Sequence, residues 1–170
     1  MLTFFENRNL KKNAACLLFF GLLCSAAFCA VLFFHCSRLV PVDISSCGDE
    51  DCAISYGIFG CEENGDKLFI WAYAVPVGEE GVKQFECHIL LNPVGTDKYY
   101  KAFTMCKDNC EVQRYASGCA NYKYTGFLCC LDSDRINKGT DYRICILYKN
   151  EGKSLLLHTD EILTGGEQHG

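Results

Sequence analysis

A chain of 170 residues with 14 cysteines, three prolines and 49% hydrophobic residues holds about one domain's worth of material. Its apolar content excludes a disordered tail, its net charge of −5 argues against a nucleic-acid binder, and its length excludes a multidomain enzyme. A cysteine content near 8%, 14 of 170, sits at the edge of the range expected of disulfide-held exported domains.

The first predicted element is an N-terminal helix. Residues 14–34 carry no charge and would span roughly 31 Å as a helix, enough for a hydrocarbon core of about 30 Å. A cleavable signal sequence has an apolar stretch of only about 7–15 residues, so the length predicts a retained transmembrane signal anchor over 14–35. Ser25-Ala26-Ala27 offers small residues suited to signal peptidase; cleavage there would give a secreted cysteine-rich protein beginning close to the greasy Val31-Leu32-Phe33-Phe34. Gly21, Ser25, Ala26, Ala27 and Ala30 are small enough to let a second helix approach closely, and equally ordinary on a lipid-facing helix.

Arg8, Lys11 and Lys12 against the single acid Glu6 make residues 1–13 a basic, cytosolic N-terminal segment by the positive-inside rule. The resulting topology is type II, with a single membrane pass and an extracellular or lumenal C-terminal domain. Of the 16 basic and 21 acidic residues, 13 and 20 lie beyond the anchor, a net −7 that disfavours nucleic acid, heparin and anionic lipid as partners.

A juxtamembrane linker is expected over 36–46. Cys16, Cys24 and Cys29 lie in the anchor as small packing residues, Cys16 being placed for S-acylation near its cytosolic end. Cys36, just outside, has no neighbour in sequence and is a candidate for an intermolecular disulfide across a homodimer. The ten that remain are Cys47, Cys52, Cys61, Cys87, Cys106, Cys110, Cys119, Cys129, Cys130 and Cys145, an even number that reads as disulfides in an oxidising compartment, with connectivity open. Cys106-x3-Cys110 resembles zinc-ligand spacing but lacks a second close pair, so no metal site is expected. Cys129 and Cys130 are adjacent, and strain disfavours a bond between them.

The exported region reads as strand. Lys67 to Val77 is apolar, aromatic and β-branched behind the turn signal Glu63-Asn64-Gly65-Asp66, and Val82 to Leu91 follows across Gly78-Glu79-Glu80-Gly81. Tyr99 to Met105 and Tyr122 to Cys130 are further strands, and Tyr142 to Tyr148 with Ser154 to His158 flank a turn at 149–153. Pro76 and Pro93 mark strand ends. No stretch beyond the anchor keeps helical periodicity for more than about ten residues. The fold class is therefore mainly β, a disulfide-stapled ectodomain with small cores on a single N-terminal transmembrane helix.

The cysteines also repeat at an offset of 58 residues: Cys52, Cys61 and Cys87 fall on Cys110, Cys119 and Cys145, with Gly60 on Gly118, Phe69 on Phe127, Gly81 on Gly139 and Asn92 on Asn150. A duplication would make two similar tandem units, cysteine-rich β unit 1 at 47–106 and unit 2 at 107–165, before a polar tail at 166–170. A single domain with coincident spacing is the alternative.

Catalytic constellations are missing. His158-Thr159-Asp160 with Ser154 lacks a nucleophile elbow, and no cysteine is set apart beside a base, so no enzymatic activity and no cofactor are expected. His88 reads as a sheet residue, and His169 lies in the polar tail. The acidic groups Asp49-Glu50-Asp51 and Asp132-Ser133-Asp134, the latter with Asn137 and Gly139, read as solvated loops because neither has the ligand spacing of a helix-loop-helix calcium site. No Asn-x-Ser/Thr occurs, so no N-linked glycan is expected.

Asn109-Cys110-Glu111-Val112, Phe127-Leu128-Cys129, Gly139-Thr140-Asp141-Tyr142 leading to Cys145, and Leu155-Leu156-Leu157-His158-Thr159-Asp160-Glu161 can be set beside a known family. Over residues 109–163 the chain resembles the cysteine-rich extracellular domain of auxiliary β subunits of large-conductance calcium-activated potassium channels. That family crosses the membrane twice, whereas this chain has one anchor, and residues 47–106 have no place in its layout. The resemblance implies an accessory role beside a channel or receptor, and no family binding residue carries over.

Two function classes follow. One is a non-enzymatic membrane-anchored module that binds a larger membrane or surface protein, with Trp71, Tyr73, Tyr99, Tyr100, Tyr122 and Tyr124 as aromatic anchors or as packing residues. The other is a structural component of a viral envelope or extracellular coat.

Overall fold

The computed structural model describes residues 2–48, 54–77, 85–107, 126–150 and 152–165. The chain divides into two units, Met1–Cys36 and Ser37–Gly170.

The first unit is one helix, α1, Leu2–Cys36. Its segment Asn13–Phe34, 22 residues with mean hydropathy 2.6, is long and apolar enough to cross a membrane, and every side chain in it is exposed. A helix apolar on all sides has no face to present to water.

The second unit is built from strands β1 (Val40–Val42), β2 (Ile54–Asn64), β3 (Lys67–Pro76), β4 (Phe85–Pro93), β5 (Tyr99–Lys101), β6 (Thr104–Lys107), β7 (Gly126–Asp132), β8 (Tyr142–Asn150) and β9 (Lys153–Leu163). They form a five-stranded sheet ordered β1-β5-β4-β8-β9 and a four-stranded sheet ordered β2-β3-β7-β6, both antiparallel. Alternation along each strand sets the inner face. Leu68, Ile70, Ala72 and Ala74 of β3 and Phe127, Cys129 and Leu131 of β7 face Cys87, Ile89 and Leu91 of β4 and Tyr142, Ile144, Ile146 and Tyr148 of β8 in one buried cluster. Each large apolar side chain fully buried there contributes about 1.5–3 kcal/mol. Two turns close on glycine in the left-handed region, Gly65 (φ 65°) between Asn64 and Lys67, and Gly152 (φ 79°) between Asn150 and Lys153.

β8 is buried on both faces, because the outer side of the five-stranded sheet carries a second cluster of Leu90, Cys145, Leu147 and Leu156. The chain leaving α1 covers it. β1 pairs with β5 on one side of the sheet, and Gly48 bridges β9 on the other, donating to Ser154 O at 2.8 Å and accepting from Leu156 N–H at 3.1 Å. Between them Val42, Ile44 and Cys47 lie on the cluster. Residues 40–48 are thus a strap across the sheet, and the linker expected over 36–46 is part of the domain.

The halves of the chain also combine otherwise than as tandem units 47–106 and 107–165. β3 pairs with β7 and β4 with β8, so each sheet takes central strands from both halves. The 58-residue offset also changes faces: Phe69 points outward and Phe127 inward, and Cys87 lies in the inner cluster whereas Cys145 lies in the outer one. An offset that flips the face does not relate equivalent strand positions.

β2 is a strand that composition hid, since Gly57 and Gly60 interrupt its apolar run. The expected strand 99–105 is two, β5 in one sheet and β6 in the other. The turn at 78–81, the acidic group 49–51 and the tail 166–170 lie outside the described residues.

Candidate interaction surface

The outward face of the four-stranded sheet is aromatic. On β3, with Leu68, Ile70 and Ala72 turned inward, Phe69, Trp71 and Tyr73 point away from the core and are half-buried. Phe69 and Trp71 stack with ring centroids 5.9 Å apart. The two glycines of β2 lie beneath Tyr73 and Trp71. A Cβ on Gly57 would stand 3.1 Å from Tyr73, and one on Gly60 would stand 3.0 Å from Trp71 Cε3. The register shifts between Ile58 and Gly60, and the residue in the bulge is Phe59, whose ring lies 6.5 Å from that of Tyr73.

Register extends this face across the sheet. Trp71 pairs with Leu128 of β7, and Leu128 with Met105 of β6, giving an apolar row in which Met105 is 43% exposed. Phe69 pairs with Cys130. At the far end Lys67 and Asp132 pair across the strands as an ion pair, which sets a polar boundary. Four strands thus bring together Phe59, Phe69, Trp71, Tyr73, Leu128 and Met105, residues that are scattered over 70 positions of sequence.

Of the aromatic candidates, Trp71 and Tyr73 are on this face. Tyr99 and Tyr100 are half-buried on β5, where Tyr99 packs against the outer cluster of the other sheet and burial raises its hydroxyl pKa. Tyr122 and Tyr124 lie outside the described residues. Phe59, Leu128 and Met105 were not singled out by sequence; the alternation in β7 was the one local signal for Leu128.

Among the described residues the structure records no disulfide. Cys16 is exposed on α1 and Cys36 ends that helix half-buried. Cys47 packs on the outer cluster that contains Cys145. Cys129 faces the core and Cys130 the opposite side, so these neighbours cannot meet. Cys61 and Cys129 flank Ile70 on successive strands, about 9.6 Å apart and beyond disulfide reach. Burial raises the thiols of Cys47 and Cys61, lifts Cys145 to about 11 and Cys129 to about 12, and pushes Cys87 well above the ordinary value. Cys52, Cys110 and Cys119 lie outside the described residues.

The hydrolase candidates separate. Ser154 and His158 stand four residues apart on β9, about 13 Å, and Thr159 is buried with its hydroxyl donating to Ile144 O at 2.6 Å. Nδ1 of His158 is instead 3.6 Å from Cys145 Sγ, but burial keeps that thiol protonated and so a poor nucleophile. Among the described residues no group of three His, Cys, Asp or Glu side chains converges on a cation position. Asp132 is engaged by Lys67, and the loop at 137–140 closes on itself through Thr140 N–H to Asn137 O at 3.1 Å.

The fold and the face together define a two-sheet antiparallel β domain, following an apolar helix in the chain, with an aromatic surface on one sheet. No family model matches the chain, and no curated protein matches it.

Proposed function

We propose that this chain is a non-enzymatic, single-pass membrane protein, anchored by α1, whose β domain binds a larger membrane or surface protein as an accessory subunit. The observation that carries the reading is the outward apolar face of the four-stranded sheet. Aromatic side chains with limited rotamer freedom, held over glycines and set in a row with Leu128 and Met105, are the residue types that anchor protein interfaces. The exposed apolar helix supports membrane anchorage, and the basic residues before it support a cytosolic N-terminus. The acidic charge beyond the helix favours a partner with a basic or apolar contact surface.

Photo-cross-linking in native membranes tests this. A benzophenone side chain at position 71 should give one discrete adduct, whereas the same group at Arg143, exposed on the other sheet, should give none. Trp71→Ala should weaken the complex by about 2 kcal/mol or more, roughly 30-fold. Equal adducts from both positions, or none from position 71, overturn the reading. An adduct of two copies of the 19.0 kDa chain would identify the partner as a homodimer, the arrangement in which Cys36 could bridge.

A further inference from the structure

Residues 99–107 carry the chain from one sheet to the other, first pairing with β4 as β5 and then with β7 as β6. The crossing is fixed at Ile89. Its carbonyl accepts from Ala102 N–H at 3.0 Å, and its N–H donates to Thr104 Oγ1 at 2.9 Å. β4 and the start of β6 therefore touch at this point, and β5, from which the chain continues into β6, runs antiparallel to β4. Two residues before Ile89 stands Cys87, and two residues after Thr104 stands Cys106, so the step that leaves the contact along one strand matches the step along the other.

Both side chains turn to the same side. Cys87 shares the inner face of β4 with Ile89 and Leu91. Thr104 pairs with inward-facing Cys129, and Cys106, two residues on, shares its face. Burial first, and then charge on Cys106, raises the Cys87 thiol. The other described thiols of the domain are placed elsewhere. Cys47 and Cys145 lie on the far side of the five-stranded sheet, Cys61 stands on β2 at the opposite edge of the four-stranded sheet from β6, and Cys130 faces outward. Cys129 is diagonal to Cys106, about 7–8 Å away and past disulfide reach.

We propose that Cys87 and Cys106 form a disulfide that ties the two sheets together. It rests on the reading of the domain as exported, because the oxidant is the disulfide of an export-pathway dithiol oxidoreductase. Exposed Cys106, as thiolate, attacks that disulfide and releases one donor thiol, leaving a mixed disulfide. Cys87 then gives up its proton and attacks Sγ of Cys106, expelling the second donor thiolate, which takes up the proton. Two electrons pass from the pair to the donor, and two hydrogens leave the chain. The order follows from exposure, since Cys106 is exposed and Cys87 is buried.

The unmodified full chain, purified from native membrane, provides the test. Free thiols are alkylated under denaturing conditions, and the protein is digested with trypsin without reduction. Cleavage after lysine leaves Cys87 alone in the peptide 84–98 and Cys106 alone in 102–107, so one linked product lacking two hydrogens identifies the bond by mass. That product, lost on reduction, is the expected result. Either cysteine joined to Cys110, Cys119 or another partner, or alkylated while other domain cysteines are oxidised, overturns the pairing alone. Alkylation of every cysteine beyond the helix overturns the pairing and the exported reading together.

Discussion

His88 stands on the outward face of β4 opposite Leu147, with its side chain 25% exposed. Burial first, then Lys101, holds its imidazole pKa below the ordinary value; Glu86, whose Oε2 is 3.8 Å from Nε2, opposes the shift, and Lys149 adds to it. A histidine pKa lower in the folded chain than in the unfolded one means that the unfolded chain binds the proton more readily. Its influence is absent well above about pH 6.5, and stability falls as pH drops through that unfolded value towards the folded one. Urea midpoints taken from about pH 7 to about pH 5 should decline, and His88→Gln should flatten the decline. Identical slopes in the two proteins would place the proton elsewhere. Trp71 gives a second reporter at this scale, being the sole tryptophan. Because a Cβ on Gly60 would press on its ring at 3.0 Å, Gly60→Val should lever the indole off the sheet, red-shift its emission and cost about 1 kcal/mol. An unchanged spectrum would show that the ring does not rest on that glycine.

The strap at 40–48 is an element whose role is packing, since it seals Leu90, Leu147 and Leu156 from water on the outer side of the five-stranded sheet. Ile44→Asp puts a charge against that cluster and should destabilise the domain by about 2–3 kcal/mol in chemical denaturation, whereas Val40→Asp, at a position 42% exposed, should stay within about 0.5 kcal/mol. Similar losses from both would deny the strap its sealing role. Sequence was informative where a signal is local. β3 and β8 were legible from their apolar runs, two hairpin turns from their glycines, and α1 from its uncharged length. The strap was hidden because its contacts are made with strands 57–61 and 107 residues away, and no short window contains both partners. β2 was hidden because its glycines are there to accommodate Trp71 and Tyr73, a requirement visible only once the strands are paired. The surface was half legible for the same reason. Period two puts Trp71 and Tyr73 on one face, but only the register of β7 and β6 adds Leu128 and Met105.

For the whole molecule the decisive property is interleaving. A domain made of tandem units could be cut between them and leave each part folded; here the cut removes a neighbour from each of the central strands β3, β4, β7 and β8. Without residues 108–170, β3 loses β7 and is left in a hairpin with β2, while β4 loses β8 and retains only the three-residue β5. A two-stranded hairpin is marginal in water, and the inner faces of both remnants would be exposed. Without residues 1–107, the β8–β9 hairpin loses the strap from its outer side and β4 from its edge, and β7 loses both of its neighbours. Chains 1–107 and 108–170 expressed separately should therefore show no cooperative thermal transition and should be cleaved by protease along their length, while the two expressed together should recover a protected β domain. A cooperative melt from either half alone would restore the tandem arrangement. The same connectivity governs kinetics. The central pairings join residues 49–65 apart, so loop closure precedes any stabilising burial, and refolding of the intact domain should fall in the millisecond-to-second range of non-local β proteins. Disulfide exchange extends to hours, so where refolding starts from the reduced chain, exchange and not strand pairing should set the slowest phase.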